Sequence, residues 1–518
     1  MTNSLPGWHK AMTKSPPAPV PTDSDIRLRG RALTLAFAGG IEYGLQLVVP
    51  IILVRHLDPT VFGQYRFLWL MAGTVLAIAP GFMPQALFYF LPRAAAEQRR
   101  VLIGNVLVYL ALAAILVGVV TIGWNPFLPA MAGNLFFQSH SISTIFLSLW
   151  VAASLLDVLP TAEGRARWQS GAIIGLAIFR TLVLAAAAIV ASDIFWMVSA
   201  MLTVALVKLA ALACYLFSRH ERLSWQFIGI QRQLSYCLPF AIGNTLFLLR
   251  VGADQWVVAS MLAPAQYAIY SIAAVLLPIA SLIRQPVNNA LMPNLNSAHA
   301  RGDFREIRRL IEKTNGASAL LLLPISGLLF VVLSELVCIV YTGRYSDAVP
   351  IMQVYLIGMM IAAFAVGHVL PSLEKGRFAA INSACCLPLS ILLSIGGVQR
   401  FGMIGAAVGS VFTLAISELW SVHAVSRALG VGMRKLHAWR ALGPVIFSTF
   451  SAMAGVTMLR EFVIGTVPTM LLLKGLLYVA LFAASFLLSG GRQSLASLTG
   501  HLPAELVDGE NRLQGRLV

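Results

Sequence analysis

Charge is what this chain lacks. Only 11 % of its 518 residues are Asp, Glu, Lys or Arg, and 58 % are hydrophobic; soluble domains carry about 25 % charged residues. With mean hydropathy at +0.80, a soluble enzyme is ruled out. The formal charge of +16 does not point to DNA or RNA, because no polar domain carries a basic-aromatic stripe to hold them. Cysteine is scarce too. Cys214, Cys237, Cys338, Cys385 and Cys386 are odd in number, lie in or beside apolar segments and show no ligand spacing. They read as small hydrophobes, not as a disulfide or zinc framework. No serine–histidine–carboxylate set, metal triad or phosphate loop is evident, so no cofactor or catalytic role follows.

What the chain does have is a succession of apolar runs. A spanning helix needs about 20 residues, from a hydrocarbon core of roughly 30 Å and a rise of about 1.5 Å per residue. Fourteen stretches meet that need: 32–54, 66–91, 101–123, 142–160, 171–191, 194–217, 234–260, 266–292, 315–341, 350–372, 378–399, 404–426, 440–459 and 467–488. The prediction is an all-α polytopic membrane protein. With the amino terminus inside, 27 Lys and Arg fall in cytoplasmic segments, and four (Arg55, Arg344, Arg400 and Arg460) fall in external loops. That asymmetry predicts an even number of spans and both termini in the cytoplasm; the expected location is the inner membrane. The longest external loop, about 124–141, holds no Asp, Glu, Lys or Arg, which argues against a glycan polymerase or ligase. Residues 296–313 read as one amphipathic surface helix with Phe304, Ile307, Leu310 and Ile311 as its apolar stripe.

The chain also repeats itself. Residues 53–65 lie on 258–270 at a constant offset, pairing Leu57 with Leu262, Pro59 with Pro264, Phe62 with Tyr267 and Tyr65 with Tyr270. Both stretches join the first and second helices of a six-helix set, so the halves are parallel repeats. The expected layout is a disordered, proline-rich cytoplasmic tail (1–31) and a six-helix lobe (32–217). A cytoplasmic linker (218–233), a second six-helix lobe (234–426), an extra helix pair (427–488) and a cytoplasmic carboxyl tail (489–518) follow.

Four stretches carry a family resemblance: RHLDPTVFGQY at 55–65, GFMPQALFYFLPR at 81–93, AHARGDFREIRRL at 298–310 and RFGMIGAAVGSV at 400–411. By these the chain resembles the polysaccharide transporters, or lipid-linked oligosaccharide flippases, of the multidrug/oligosaccharidyl-lipid/polysaccharide exporter superfamily. The family's Phe-Gly-x-x-Gly-Ala-Ala pattern has no clear copy before the sixth span, where Ser192-Asp193-Ile194-Phe195 stands. The resemblance implies two lobes around a central cavity that opens to each side in turn. It also implies transfer of an undecaprenyl-diphosphate-linked repeat unit to the outer leaflet, with polysaccharide polymerase and export proteins as possible partners. Flippases of the peptidoglycan precursor and multidrug/cation antiporters are the alternatives within the fold.

Candidate residues follow from the cost of charge at membrane depth, about 2.5–3.5 kcal/mol on insertion scales. Such a charge needs water or a partner. Arg250 in the seventh span and Arg284 in the eighth are expected to hold the diphosphate, since a guanidinium stays charged and offers a fork of donors. Asp254 lies one turn from Arg250, so the two could equally form a structural pair. Asn244, Gln285 and Asn288 are expected to add polar lining. Glu42, with Gln46 one turn on, could face Arg250 and couple transport to a proton or sodium gradient, as could Asp254. Arg66 reads as a snorkelling side chain. Arg180, Lys208, Glu418 and Lys474 read as supporting charges.

Overall fold

The structure, a computed structural model, describes residues 23–122, 130–220, 223–459 and 465–499. Of the expected disordered tail 1–31, residues 1–22 lie outside the described residues, as does the last part of the carboxyl tail, whereas 23–31 are helical and open the first helix. The first half comprises α1 (Asp23–His56), α2 (Pro59–Ile78), α3 (Met83–Phe90), α4 (Ala96–Ile122), α5 (Ala130–Ala152), the single turn α6 (Leu159–Ala162), α7 (Ala166–Val190) and α8 (Ile194–Arg219). The second half has α9 (Phe227–Met261), α10 (Pro264–Ala273), α11 (Leu277–Ala300), α12 (Phe304–Tyr341), α13 (Ala348–Ala362) and α14 (Gly376–Leu429). Helices α15 (Trp439–Met458), α16 (Val467–Leu488) and α17 (Gly491–Thr499) complete the chain.

Twelve helices among the described residues are long and apolar enough to cross a membrane. Two predicted spans share α14, which reverses direction at Gly402 (φ 62°, ψ −145°). There Gly397 and Gly405 meet backbone to backbone, an approach that any side chain would block. The fourteenth span is the 15-residue α13, prolonged by 3-10 turns as far as Leu373. The chain is thus an all-α, multi-pass membrane protein of two six-helix lobes and a helix pair. That pair packs on α12, where Lys474 and Glu335, each 8 % exposed, form a 2.5 Å ion pair.

The repeat is visible in the helix ends. Helices α1 and α9 end at His56 and Met261, while α2 and α10 open at Pro59 and Pro264, each pair 205 residues apart. Proline at the first helical position suits both starts, since its missing N–H would have no partner there. Both second spans then break. The chain leaves α2 through Gly81 and Phe82, both with positive φ, and the Tyr109 hydroxyl donates to the freed Ala79 carbonyl at 3.2 Å. Gly81 is needed twice over, for its φ of +55° and for the closeness of Tyr109. Helix α10 breaks at a 3-10 turn, Ala274–Leu276, before Pro278.

One expectation is corrected here. Residues 296–313 are not one helix, because Gly302 (φ +69°) ends α11. Asp303 then caps α12 by accepting from the Glu306 amide at 3.0 Å. The apolar stripe from Phe304 to Ile311 is the first part of the 38-residue α12, with Ile307, Leu310 and Ile311 buried.

The lobes meet along α2 with α9 and α10. Gly63 lies against the Pro264 backbone, Arg66 donates to the Ser271 carbonyl at 3.1 Å, and Trp256 donates to Thr74 at 2.9 Å. Phe67 sits edge-on to both Trp256 and Tyr267. At this end Arg55 also reaches the Ile339 carbonyl, at 2.9 Å. Towards the other end the contacts are aromatic: Phe82 stacks on Phe240 and Tyr89 on Tyr236. By contrast, α1 packs chiefly on α7, and α11 on α12. Gly39, Gly40, Gly44 and Gln46 of α1 are left exposed, as are Ser281, Gln285 and Asn289 of α11.

Candidate functional site

A chamber of about 540 Å³ lies inside the first lobe, walled by α1, α2, α5, α7 and α8. Its polar lining is Glu42, Gln46, Arg66, Asp157, Gln169, Arg180 and Lys208; Tyr65, Trp69 and Trp150 contribute rings. On α7, Gln169, Ile173, Ala177 and Arg180 all line the chamber. Their spacing of three and four residues puts them on one helix face. Apolar residues, Ile173 and Ala177, separate the two polar ones on this face.

Three cations and two carboxylates share this space, and only one pair has formed among the described residues. Lys208 Nζ donates to Asp157 Oδ2 at 2.7 Å, and its ammonium sits 4.5 Å from the Trp150 ring centre. The lysine side chain is 7 % exposed but the carboxylate 54 %, so the pair is half-hydrated. Arg180 is 8 % exposed and no carboxylate lies within ion-pair distance among the described residues. Its guanidinium rests 5.7 Å from the Trp69 ring centre, and one terminal nitrogen has no hydrogen-bond acceptor. Arg66 spends one nitrogen on Ser271 and leaves its buried Nε unpartnered. It is half-buried at the lobe seam, in contrast to the expected snorkelling side chain. Glu42 accepts from Gln46 Nε2 at 3.2 Å and has no ion pair, with Arg250 or otherwise, among the described residues.

Neither Arg250 nor Arg284 lines this chamber. Arg284 is 6 % exposed. It donates to the carbonyls of Ala362 and, at 2.6 Å, Ala365. These carbonyls lie at and just beyond the end of α13, where the Ala362 oxygen also accepts from the Ala365 amide at 3.1 Å. Arg250 lies 5.4 Å from the Phe247 ring centre, has no ion pair with Asp254 among the described residues, and keeps a buried Nε without an acceptor. Asp254, 0 % exposed, turns the other way. It accepts from Tyr270 at 3.0 Å, from Tyr355 at 2.7 Å and from the Gln255 amide at 2.8 Å. The two tyrosyl oxygens are themselves 2.8 Å apart. Asn244 lines a smaller pocket of about 170 Å³ that shares Leu76 and Asp157 with the chamber. Gln285 is exposed on α11, and Asn288 keeps an unpartnered buried oxygen. Arg180 and Lys208 are therefore the residues that sequence reasoning set aside.

The fold and this chamber define a multi-pass membrane protein with a charged interior. A sequence model of the family described as polysaccharide biosynthesis protein matches residues 52–350, more than half of the chain. The chain belongs to that family. A curated relative, the probable low-salt glycan biosynthesis flippase Agl15 of Haloferax volcanii, is 22 % identical over 195 residues, 36 % of this chain and 41 % of the relative. The match thus spans under half of that relative's length. Among solved structures, the lipid II flippase MurJ in an inward closed conformation aligns with a TM-score of 0.70 at 11 % identity, over 88 % of this chain and 98 % of that one. An inward-facing multidrug resistance MATE transporter aligns with a TM-score of 0.59 at 11 % identity, over 75 % of this chain and 95 % of that one. These likenesses show a shared fold.

Proposed function

We propose that this protein moves a lipid-linked oligosaccharide across the inner membrane by alternating access, with its diphosphate held in the first-lobe chamber. One observation carries the reading: Arg180 is buried in a chamber of about 540 Å³ with no carboxylate partner. A buried, unpaired guanidinium is costly unless a ligand supplies the counter-charge. A diphosphate does so, with oxygens for the unsatisfied nitrogens of both Arg180 and Arg66. Arg250 and Arg284 take second place because neither lines this chamber, and the donors of Arg284 are already committed to carbonyls. Arg250 then serves a later stage of transfer, across the seam.

In this reading the α1–α2 and α9–α10 junctions form the closed external end. The glycan enters from the cytoplasm and the lipid tail stays in the bilayer between the exposed faces of α1 and α11. The flipped unit would then pass to polymerase and export proteins. Glu42 couples transport to a proton or sodium gradient in this reading, which its position in the chamber lining supports. Asp254, sealed from solvent, braces α9 against α10 and α13. Collapse of the gradient should slow flipping in vesicles; an unchanged rate removes Glu42 from this role.

The test is glycan export in cells whose only copy carries Arg180→Ala or Arg180→Lys, at equal membrane levels. Losing one charge-assisted contact predicts a fall of about 30–100-fold for alanine and a smaller one for lysine. The lipid-linked intermediate that accumulates on the inner leaflet identifies the glycan. Undiminished export by Arg180→Ala rejects the proposal.

A further inference from the structure

A second cavity, of about 650 Å³, lies far along the chain from the transport chamber. It sits where the start of α12, the loop before α15 and the start of α17 come together. Arg308, Lys435 and Arg440 supply positive charge, and Trp439 and Pro444 supply apolar wall. Glu312 is the one carboxylate in the lining, and it is paired with Arg308 at 2.8 Å. Lys435 and Arg440 have no ion pair among the described residues. His437, also in the lining, adds no charge near neutral pH, because burial lowers its pKa to about 4. Trp439 is pinned by stacking on Phe364 and by the edge of His437.

We infer that this cavity binds the headgroup of an anionic phospholipid. The shared chemistry is a phosphate monoanion between Lys435 and Arg440, and the surroundings select a lipid over a free phosphate. Arg440, Pro444 and Phe447 follow one another along α15 at intervals of four and three, so the cavity wall runs into Phe447, which is 60 % exposed. On the other side, Ser489 and Gly490 of the lining follow directly on Leu487 and Leu488, which are 55 % and 88 % exposed. A phosphate in the basic wall thus places acyl chains along apolar surface already facing the bilayer. Basic recesses between membrane helices bind anionic headgroups in this way. The occupant would tie the accessory pair α15–α16 to α12, whose first turns carry Arg308.

The experiment titrates the detergent-purified full chain with short-chain phosphatidylglycerol, short-chain phosphatidylcholine or inorganic phosphate, and follows the thermal unfolding midpoint. The inference expects stabilisation by phosphatidylglycerol alone. The Lys435→Gln/Arg440→Gln variant should bind about 30-fold more weakly, and Lys435→Arg/Arg440→Lys should recover most of the loss. Equal stabilisation by phosphatidylcholine, or full stabilisation of the glutamine variant, overturns the site. A phosphate effect equal to that of phosphatidylglycerol overturns the lipid assignment in favour of a soluble anion.

Discussion

Gly63 is the point at which the closed end of the molecule can be pried open. A Cβ added there would overlap the carbonyl of Pro264 and come within 3.3 Å of its Cα. Pro264 begins α10 in the opposite lobe, so no side-chain rotation on the partner can relieve the clash; the lobes must part or one backbone must shift. Overpacking of this kind costs about 1–3 kcal/mol. If separation of the lobes relieves it, the ratio of open to closed molecules rises by about 5- to 150-fold. Gly63→Ala tests the lower part of that range and Gly63→Val the upper. Nitroxides at Thr60→Cys and Ser346→Cys, exposed positions on opposite sides of the seam, would report the distance by double electron–electron resonance. The five native cysteines would be replaced first. Gly63→Val should move the distribution to longer distances at this end. An unchanged distribution in a folded Gly63→Val protein refutes the claim that this contact holds the end shut.

Three further outcomes follow from the buried polar groups. Asp254→Ala leaves the hydroxyls of Tyr270 and Tyr355 without their shared acceptor and should cost about 2–5 kcal/mol in unfolding experiments, whereas Asp254→Asn keeps an oxygen there and should lose far less; equal losses would argue against a bracing role. Lys474→Met strands a buried carboxylate at Glu335 and should destabilise by about 3–5 kcal/mol, while Lys474→Met with Glu335→Leu should return close to the wild-type midpoint. The pKa of His437 is lowered from 6.5 to about 4 by burial, with Arg284 adding to the effect. The unfolded chain therefore takes up its proton first, and stability should fall as pH drops from about 6.5 towards 4. His437→Gln should flatten that part of the midpoint-against-pH curve.

Much of the architecture was readable from local properties. Span length and loop charge each depend on short stretches, and together they gave fourteen helices. The offset of 205 residues survives as a direct contact, because Arg66 and Ser271 occupy equivalent places in the two repeats and touch across the seam. Side-chain direction was harder. Arg250 and Asp254 share a face by spacing, yet Asp254 is drawn to tyrosines on α10 and α13 that no spacing rule connects to it. Arg284 looked like free positive charge because the carbonyls it meets at the end of α13 cannot be seen before that end is located. The chamber did leave a trace. Gln169, Ile173, Ala177 and Arg180 lie on one face of α7 with a polar residue at each end, a pattern visible in the sequence that draws Arg180 into the proposed site. Gly302, between Arg301 and Asp303, was likewise a visible stop signal inside the run 296–313.

Binding of a short prenyl diphosphate to the purified protein tests most directly whether the diphosphate goes to the first lobe. Farnesyl diphosphate should bind the wild type, fail to bind Arg66→Gln/Arg180→Gln, and bind Arg250→Gln/Arg284→Gln nearly as well as the wild type. Loss of binding in the second pair with retention in the first would contradict the account and return the site to the second lobe.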